Sequence, residues 1–447
     1  MSKDREQLLL FKEISGKKVQ VDFDGGAMSS DGGLLLFRQA ELELGILDRI
    51  IGVLPDRRHP GYVKHHLHEL ARQRVFQIIS GYEDGNDCNH LRNDPVMKMM
   101  CERLPISGAP LASQPTMSRF ENALSRTDLY RMAKALLEVF IATYPKAPEG
   151  IILDFDDTAD ATHGHQQLSL FNAFHDTHCY MPLHIYEGKS GKLITTILRP
   201  GKRPKGTEVV AILKRIVKTI RAVWPEVGII FRGDSHYTSP ELFDYCRGHN
   251  VKFVVGLTPS QPMLKNAERL VEQVKECYEL DHAPSKRYGE FDYQAASWSA
   301  PQRVIVKAEY NDKGANTRLV VTNLEHSNRK FIYQGIYSDR GRMELMIKEH
   351  KTHLHSDRTS CHRFTANQFR LLLHSIAYVL LHAFREKYLG NTQFATAQFN
   401  TIRTRLLKIG ARVRQLATRV KISLPSSTPV KDDFYNLWRL CCPQLQH

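Results

Sequence analysis

Three aspartates, Asp154, Asp156 and Asp157, close an apolar run in the middle of the chain, IILDFDD at 151–157. If that run is a strand, its two-residue period puts Asp154 and Asp156 on one face, where carboxylates without a partner would be costly to bury. Asp234 ends a second apolar run, VGIIFRGD at 227–234, and Glu344 lies in SDRGRMELMIKEHK, surrounded at helical spacing by Arg340, Lys348 and Lys351. Three carboxylates drawn from two strand ends and a helix suit two divalent ions about 3.5 to 4 Å apart, one activating an attacking oxygen and the other stabilising a leaving oxygen. Hard oxygen donors favour Mg2+ or Mn2+ over zinc. Taken singly, each residue has a plainer account. An aspartate after a strand often caps a turn, and Glu among Lys and Arg on a helix is ordinarily a solvated, ion-paired face.

The elements that would carry these residues follow a definite order. Runs at 151–157, 180–188 and 192–199 read as three strands, 207–224 as a helix, 227–234 as a buried strand, 239–249 as a helix with a Ser-Pro start, and 251–257 as another buried strand. The pattern is βββαβαβ, followed by a helix over about 339–351. In an open α/β sheet, ligands collect at the carboxyl ends of strands, where Asp156 and Asp234 fall. Asp234 and Glu344 are 110 residues apart, which requires an inserted subdomain, with candidate strands at about 288–325. Before the core, residues 1–148 read as helical up to the Pro and Gly cluster YPKAPEG, and SQPTMSRFENAL at 113–124 reads as a short helix presenting Ser118 and Arg119. The tail from His362 reads as helical again, with breaks at Gly390 and LPSSTP.

Taken together, the motifs resemble the DDE transposases of bacterial insertion sequences, within the group marked by a Y-x2-R-x3-E-x6-K signature. Tyr337, Arg340, Glu344 and Lys351 meet all three spacings, and Asp156, Asp157 and Thr158 match the group's Asp-x-Thr motif. The resemblance implies an RNase H-like core at 149–355 with a β-rich insertion at about 262–330, flanked by a helical DNA-binding region at 1–148 and a basic helical region at 356–447. It implies that Asp156, Asp234 and Glu344 are the catalytic, metal-binding triad, with Asp156 preferred over Asp154 and Asp157, and that they hold Mg2+ or Mn2+, as two ions. Tyr337, Arg340 and Lys351 would contact DNA phosphates, with Lys348 beside them, and Trp298 in the insertion would stack a flipped base. The alternative for Trp298 is packing within the small sheet. The implied partners are the terminal inverted repeats and target DNA, in a synaptic complex expected to be dimeric. Cleavage and strand transfer would be in-line phosphoryl transfers at the element's ends. Rival readings are a metal-dependent nuclease that does not join strands and a non-catalytic DNA-binding regulator.

Composition agrees with an acidic partner. The 447 residues carry 62 Lys and Arg against 48 Asp and Glu, a formal net charge of +14. The last 95 residues hold 14 basic and 4 acidic residues, so most of the excess lies there. From Thr401 to Lys421 there is no acidic residue, while Arg403, Arg405, Lys408, Arg412, Arg414, Arg419 and Lys421 recur. Such a stripe suits phosphate contact, with Arg403 and Arg412 as candidates. Eight cysteines without a CxxC pair support neither a zinc module nor a disulfide framework. No stretch has signal-peptide order. The longest apolar run, LLLHSIAYVLLHAF at 371–384, is too short to span a bilayer and reads as a buried helix. These features fit a bacterial cytoplasmic protein at the nucleoid, with no membrane partner. His163 and His165 in THGHQ suit a polar turn contacting DNA or substrate better than a metal-ligand pair and carry no assigned role, and the run HHLH at 65–68 reads as a solvated helix face rather than a metal site.

Overall fold

In the computed structural model, which describes residues 9–443, eight strands join in one mixed sheet. In chain order these are β1 (Gly150–Asp157), β2 (Leu183–Glu187), β3 (Leu193–Ile197), β4 (Gly228–Gly233), β5 (Lys252–Leu257), β6 (Ser285–Tyr293), β7 (Gln302–Asn311) and β8 (Gly314–Thr322). Their order across the sheet is β6-β7-β8-β5-β4-β1-β2-β3. β1, β4 and β5 run parallel, and every other neighbouring pair is antiparallel. Helix α1 (Gly206–Val223) connects β3 to β4, and α2 (Pro240–Gly248) connects β4 to β5. The fold is mixed α/β, with the anticipated βββαβαβ order.

Local chemistry explains the two connecting helices. In α1, Val209, Leu213, Ile216, Val217 and Ile220 recur on one buried stripe. It stops at Trp224, which leaves the helical region at φ −123°, ψ 79°, as the following Pro225 disfavours helical backbone in the residue before it. Helix α2 opens with Ser239, whose hydroxyl accepts from the Leu242 amide at 3.2 Å, and with Pro240 in the first turn. Both helices cover the sheet face that carries Leu153, Phe155, Ile229 and Phe231. Burying a side chain such as Phe155 contributes about 2 kcal/mol.

Across the sheet, Val254, Ile305 and Val320 meet Ile332, Tyr333 and Ile336. A helical run over 329–353 therefore lies on the face that also carries Asp154 and Asp156. It includes α4 (Gly341–Lys348), flanked by wider turns at Ile332–Tyr337 and Glu349–His353. Such wide turns are frequent at functional positions.

The segment expected as an inserted subdomain differs from that expectation. It supplies α3 (Gln261–Asp281) and three strands, but β8 pairs antiparallel with β5, so the strands continue the main sheet. The pairing covers β5, a nearly all-buried strand that would otherwise be an exposed edge. A separate three-stranded sheet, Asp160–Ala161, Leu170–Asn172 and Thr177–Tyr180, folds up between β1 and β2. All of these elements belong to one compact unit, residues 49–55 and 121–379.

A second unit is built from the described residues up to 48, from 56–120, and from 380 onward. Phe37 packs edge-on against Phe76 and at 4.7 Å from Phe384. The basic tail is not helical throughout. Ala411–Gln415 and Val420–Ser423 form an antiparallel pair, joined at one edge by Met28–Ser29. Ala411 and Val413 turn inward while Arg412 and Arg414 turn out, which is a strand period. The expected regions 1–148 and 356–447 include residues 1–8 and 444–447, which lie outside the described residues. All eight cysteines are free thiols. Among the described residues no helix is long and apolar enough to cross a membrane.

Candidate active site

The three aspartates of β1 have three different environments. Asp154 is fully buried in an ion pair with Arg232, its register partner on β4. Asp157 turns the other way, accepting from the Tyr237 hydroxyl at 3.2 Å with Arg199 Nη1 3.7 Å from its second oxygen. Asp156 extends the Asp154 face by one strand period. Continuing the β1–β4 register brings it level with Asp234, close enough for the Asp234 charge to act on its carboxyl.

Asp234 follows the last residue of β4, where its Oδ1 accepts from the His236 amide at 2.9 Å and so caps the turn Ser235–Tyr237. The ordinary capping role and a place at the site coincide in one residue. The His236 ring stands between two carboxylates, with Nδ1 3.8 Å from Asp234 and 3.9 Å from Asp157, and they raise its pKa. Arg203 secures the same turn from outside by donating to the Ser235 and His236 carbonyls.

From the helical run, Arg340 donates to Asp156 Oδ2 at 2.9 Å. Burial works to lower the Arg340 pKa, but the charges of Asp156, Asp234 and Glu344, with Tyr337, outweigh it and raise it. Tyr337 is half-buried beside β5 at a place that requires Gly256, because a Cβ there would come within 2.5 Å of the Tyr337 hydroxyl. Glu344 and Lys348 are exposed on α4. Lys351 turns back onto the loop after β1, 3.3 Å from both Asp160 Oδ1 and Thr158 Oγ1, and donates to the Ala159 carbonyl. Its ammonium serves the buried Asp160, whose carboxyl is pushed up to about 7 by burial with Lys351 opposing the rise.

The remaining expected DNA contacts separate. Trp298 is only 7 % exposed and packs edge-on against Phe243 at 5.2 Å and Tyr293 at 5.7 Å, so it belongs to the core of the sheet. Arg403 is buried, donating to the Ile79 carbonyl at 2.8 Å. Arg412 is exposed on its strand. Residue-by-residue reading missed Arg232, His236 and Arg203. Arg232 alone left a signal, a lone cation inside an otherwise apolar strand.

Burial, partly opposed by Arg340 and reinforced by the Asp234 and Asp157 charges, lifts the Asp156 carboxyl to about 7. One guanidinium thus balances a pair of converging carboxylates incompletely. A hard divalent cation fits this excess of oxygen charge. As the side chains stand, no three His, Cys, Asp or Glu groups among the described residues are gathered closely enough to hold an ion.

A mixed sheet with carboxylates at the ends of adjacent parallel strands has them where open α/β sheets collect their ligands. The family model described as "Transposase DDE domain group 1" matches residues 11–442, nearly the whole chain, and the protein belongs to that family. The family implies dependence on a divalent metal ion. No curated protein matches the chain. Among solved structures, a chain of the piggyBac transposase synaptic complex with hairpin DNA, determined by cryo-EM, is similar at a TM-score of 0.45 and 10% identity. The match covers 84% of this chain and 80% of that one.

Proposed function

We propose that the protein is a DNA transposase with an RNase H-like core, cutting at the terminal inverted repeats of an insertion sequence and joining the freed 3′ ends to target DNA. The observation that carries this reading is the convergence of Asp156 and Asp234 on one face of adjacent parallel strands, under the Arg340 guanidinium from the helical run that bears Glu344. Asp156, Asp234 and Glu344 are the residues that would hold Mg2+ or Mn2+, as two ions. Such ions supply Lewis acidity at the attacking and leaving oxygens of an in-line displacement.

The chain's own groups then have distinct tasks. Tyr337 and Arg340 line the site from the helical run, where a hydroxyl and a planar guanidinium suit phosphate oxygens. Exposed Lys348 adds a mobile positive charge one turn beyond Glu344. Lys351 holds the loop after β1 through Asp160, which keeps Asp156 and the helical run in a fixed relation. Arg412 contributes phosphate contact, and a synaptic dimer brings two DNA ends together.

The test uses a labelled duplex carrying the element's terminal repeat, incubated with Mg2+ and a target plasmid. Wild-type protein is expected to nick the repeat end and join it to the plasmid, while Asp156→Asn, Asp234→Asn and Glu344→Gln bind the duplex but cut it at least about a thousandfold more slowly. Undiminished cutting by any of the three rejects that residue's assignment. Cutting without joining identifies a nuclease instead, and duplex binding with no cutting by wild type identifies a regulator.

A further inference from the structure

Arg232 is the one cation in the apolar strand β4, and neither it nor Asp154 exposes any side-chain surface. Its Nε and Nη2 grip both oxygens of Asp154 on β1. Its remaining nitrogen, Nη1, donates to the Ile336 carbonyl in the helical run. Two residues beyond Asp154 and Arg232 stand Asp156, still on β1, and Asp234, just past the end of β4, and eight residues beyond Ile336 stands Glu344. One guanidinium therefore ties together the three elements that carry the three carboxylates, one layer beneath them.

Space is kept for this knot. Gly188, just after β2, lies so close that an added Cβ would stand 2.5 Å from Arg232 Nη2 and 2.7 Å from Asp154 Oδ2. Stability does not account for the arrangement, since a fully buried ion pair is commonly matched or exceeded in stability by apolar side chains of similar volume. An apolar pair in its place could fill the volume, but could not hold the Ile336 carbonyl.

Resting on the proposed function, we propose that Arg232 is a positioning residue. By bridging Asp154 and the Ile336 carbonyl it sets the distance between the Asp156–Asp234 pair and the helix bearing Glu344, and so the affinity of the site for a divalent ion. Its planar fork makes three directed hydrogen bonds at once, which a lysine cannot reproduce.

The experiment measures Mn2+ binding to the full-length protein by electron paramagnetic resonance, alongside terminal-repeat duplex binding and thermal unfolding. The double variant Arg232→Met/Asp154→Leu removes both charges together and leaves no orphaned ion. It is expected to unfold cooperatively near the wild-type temperature and to bind duplex within twofold of wild type, yet to bind Mn2+ at least about tenfold more weakly and to lose turnover at saturating DNA. Arg232→Lys keeps a charge beside Asp154 but gives up the bridge, and is expected to show the same separation to a smaller degree. It serves as the deciding variant should the double variant fail to fold. Wild-type Mn2+ affinity in a folded variant, or a parallel fall in Mn2+ and DNA binding, overturns the proposal. If wild-type Mn2+ binding survives Asp234→Asn unchanged, the reading of the metal site itself fails, an outcome distinct from a failure at Arg232 alone.

Discussion

Arg340 reaches Asp156 at 2.9 Å across 184 residues of sequence, and the guanidinium expected to meet a phosphate is held by the carboxylate expected to meet a metal ion. The pairing gives Asp156 a counter-charge before any ligand arrives. It also means that cation binding at Asp156 and phosphate binding at Arg340 favour one another, because each relieves its partner of the same ion pair.

Metal uptake should therefore be linked to pH. Asp156 titrates at about 7 in the fold, raised chiefly by burial, against about 3.9 when unfolded. The folded state holds this proton more tightly, so the metal-free protein should lose stability as pH rises from about 4 to about 7, with the loss complete above that range. A cation competes with the same proton. Mn2+ affinity is expected to climb about tenfold per pH unit up to about 7 and then level off, as calorimetric titrations between pH 5.5 and 8 would read. Because Arg340 lowers the Asp156 pKa, Arg340→Gln should move the plateau to higher pH. A pH-independent affinity, or a shift to lower pH, would count against this account.

Much of the framework could be read locally because its strands are of the kind that announce themselves. Buried parallel strands such as 228–233 and 252–257 are short apolar runs bounded by Gly and polar turns, and Pro225 and Ser239 mark where helices stop and start. The register that pairs Arg232 with Asp154 is a long-range choice, as is the attachment of β8 to β5. Neither is written in the periodicity of any one segment. The same limit applies to the basic residues. Lys351 and Arg403 look like free surface cations in sequence, but each is held by a partner nearly 200 or more than 300 residues away, Ala159 and Ile79. In the tail, ARVRQ carries both the composition of a basic helix stripe and the alternation of a strand, and pairing with Val420–Ser423 decides between them.

Trp298 separates a packing role from a stacking role by measurement. Its contacts with Phe243 and Tyr293 lie in the main core, so Trp298→Ala should cost about 3 to 5 kcal/mol of stability, seen as an earlier urea midpoint. Affinity for duplex ends, corrected for the folded fraction, should stay within twofold. Weakened end binding at unchanged stability would restore the ring to the DNA interface.

On the tail hairpin, Arg414 faces Lys421 across the strands, and Arg412 faces Ser423 on the same exposed surface. Like charges placed opposite one another destabilise a sheet, an arrangement that suits a surface meeting phosphates. Changing Arg412, Arg414 and Lys421 together to Gln should leave thermal stability equal or slightly higher. It should also reduce the slope of log affinity against log salt by about 2 to 3 for duplex DNA. An unchanged slope in filter-binding titrations would remove this surface from the interface.

The last prediction concerns Gly188, whose φ lies outside the left-handed region, so that the room around its Cα decides the outcome of a substitution. Alanine there must displace Arg232 or Asp154, which are fully buried and joined to each other, and overpacking of this kind typically costs about 1 to 3 kcal/mol. The strain falls on the ion pair rather than on an adaptable apolar side chain, so the cost should lie toward the upper end. Gly188→Ala in the Arg232→Met/Asp154→Leu background meets flexible apolar neighbours instead. Its additional cost there should fall by at least about half, a coupling that a double-mutant cycle of urea denaturation measures. Equal costs in the two backgrounds would mean that Gly188 is needed for some reason other than the room it leaves for Arg232.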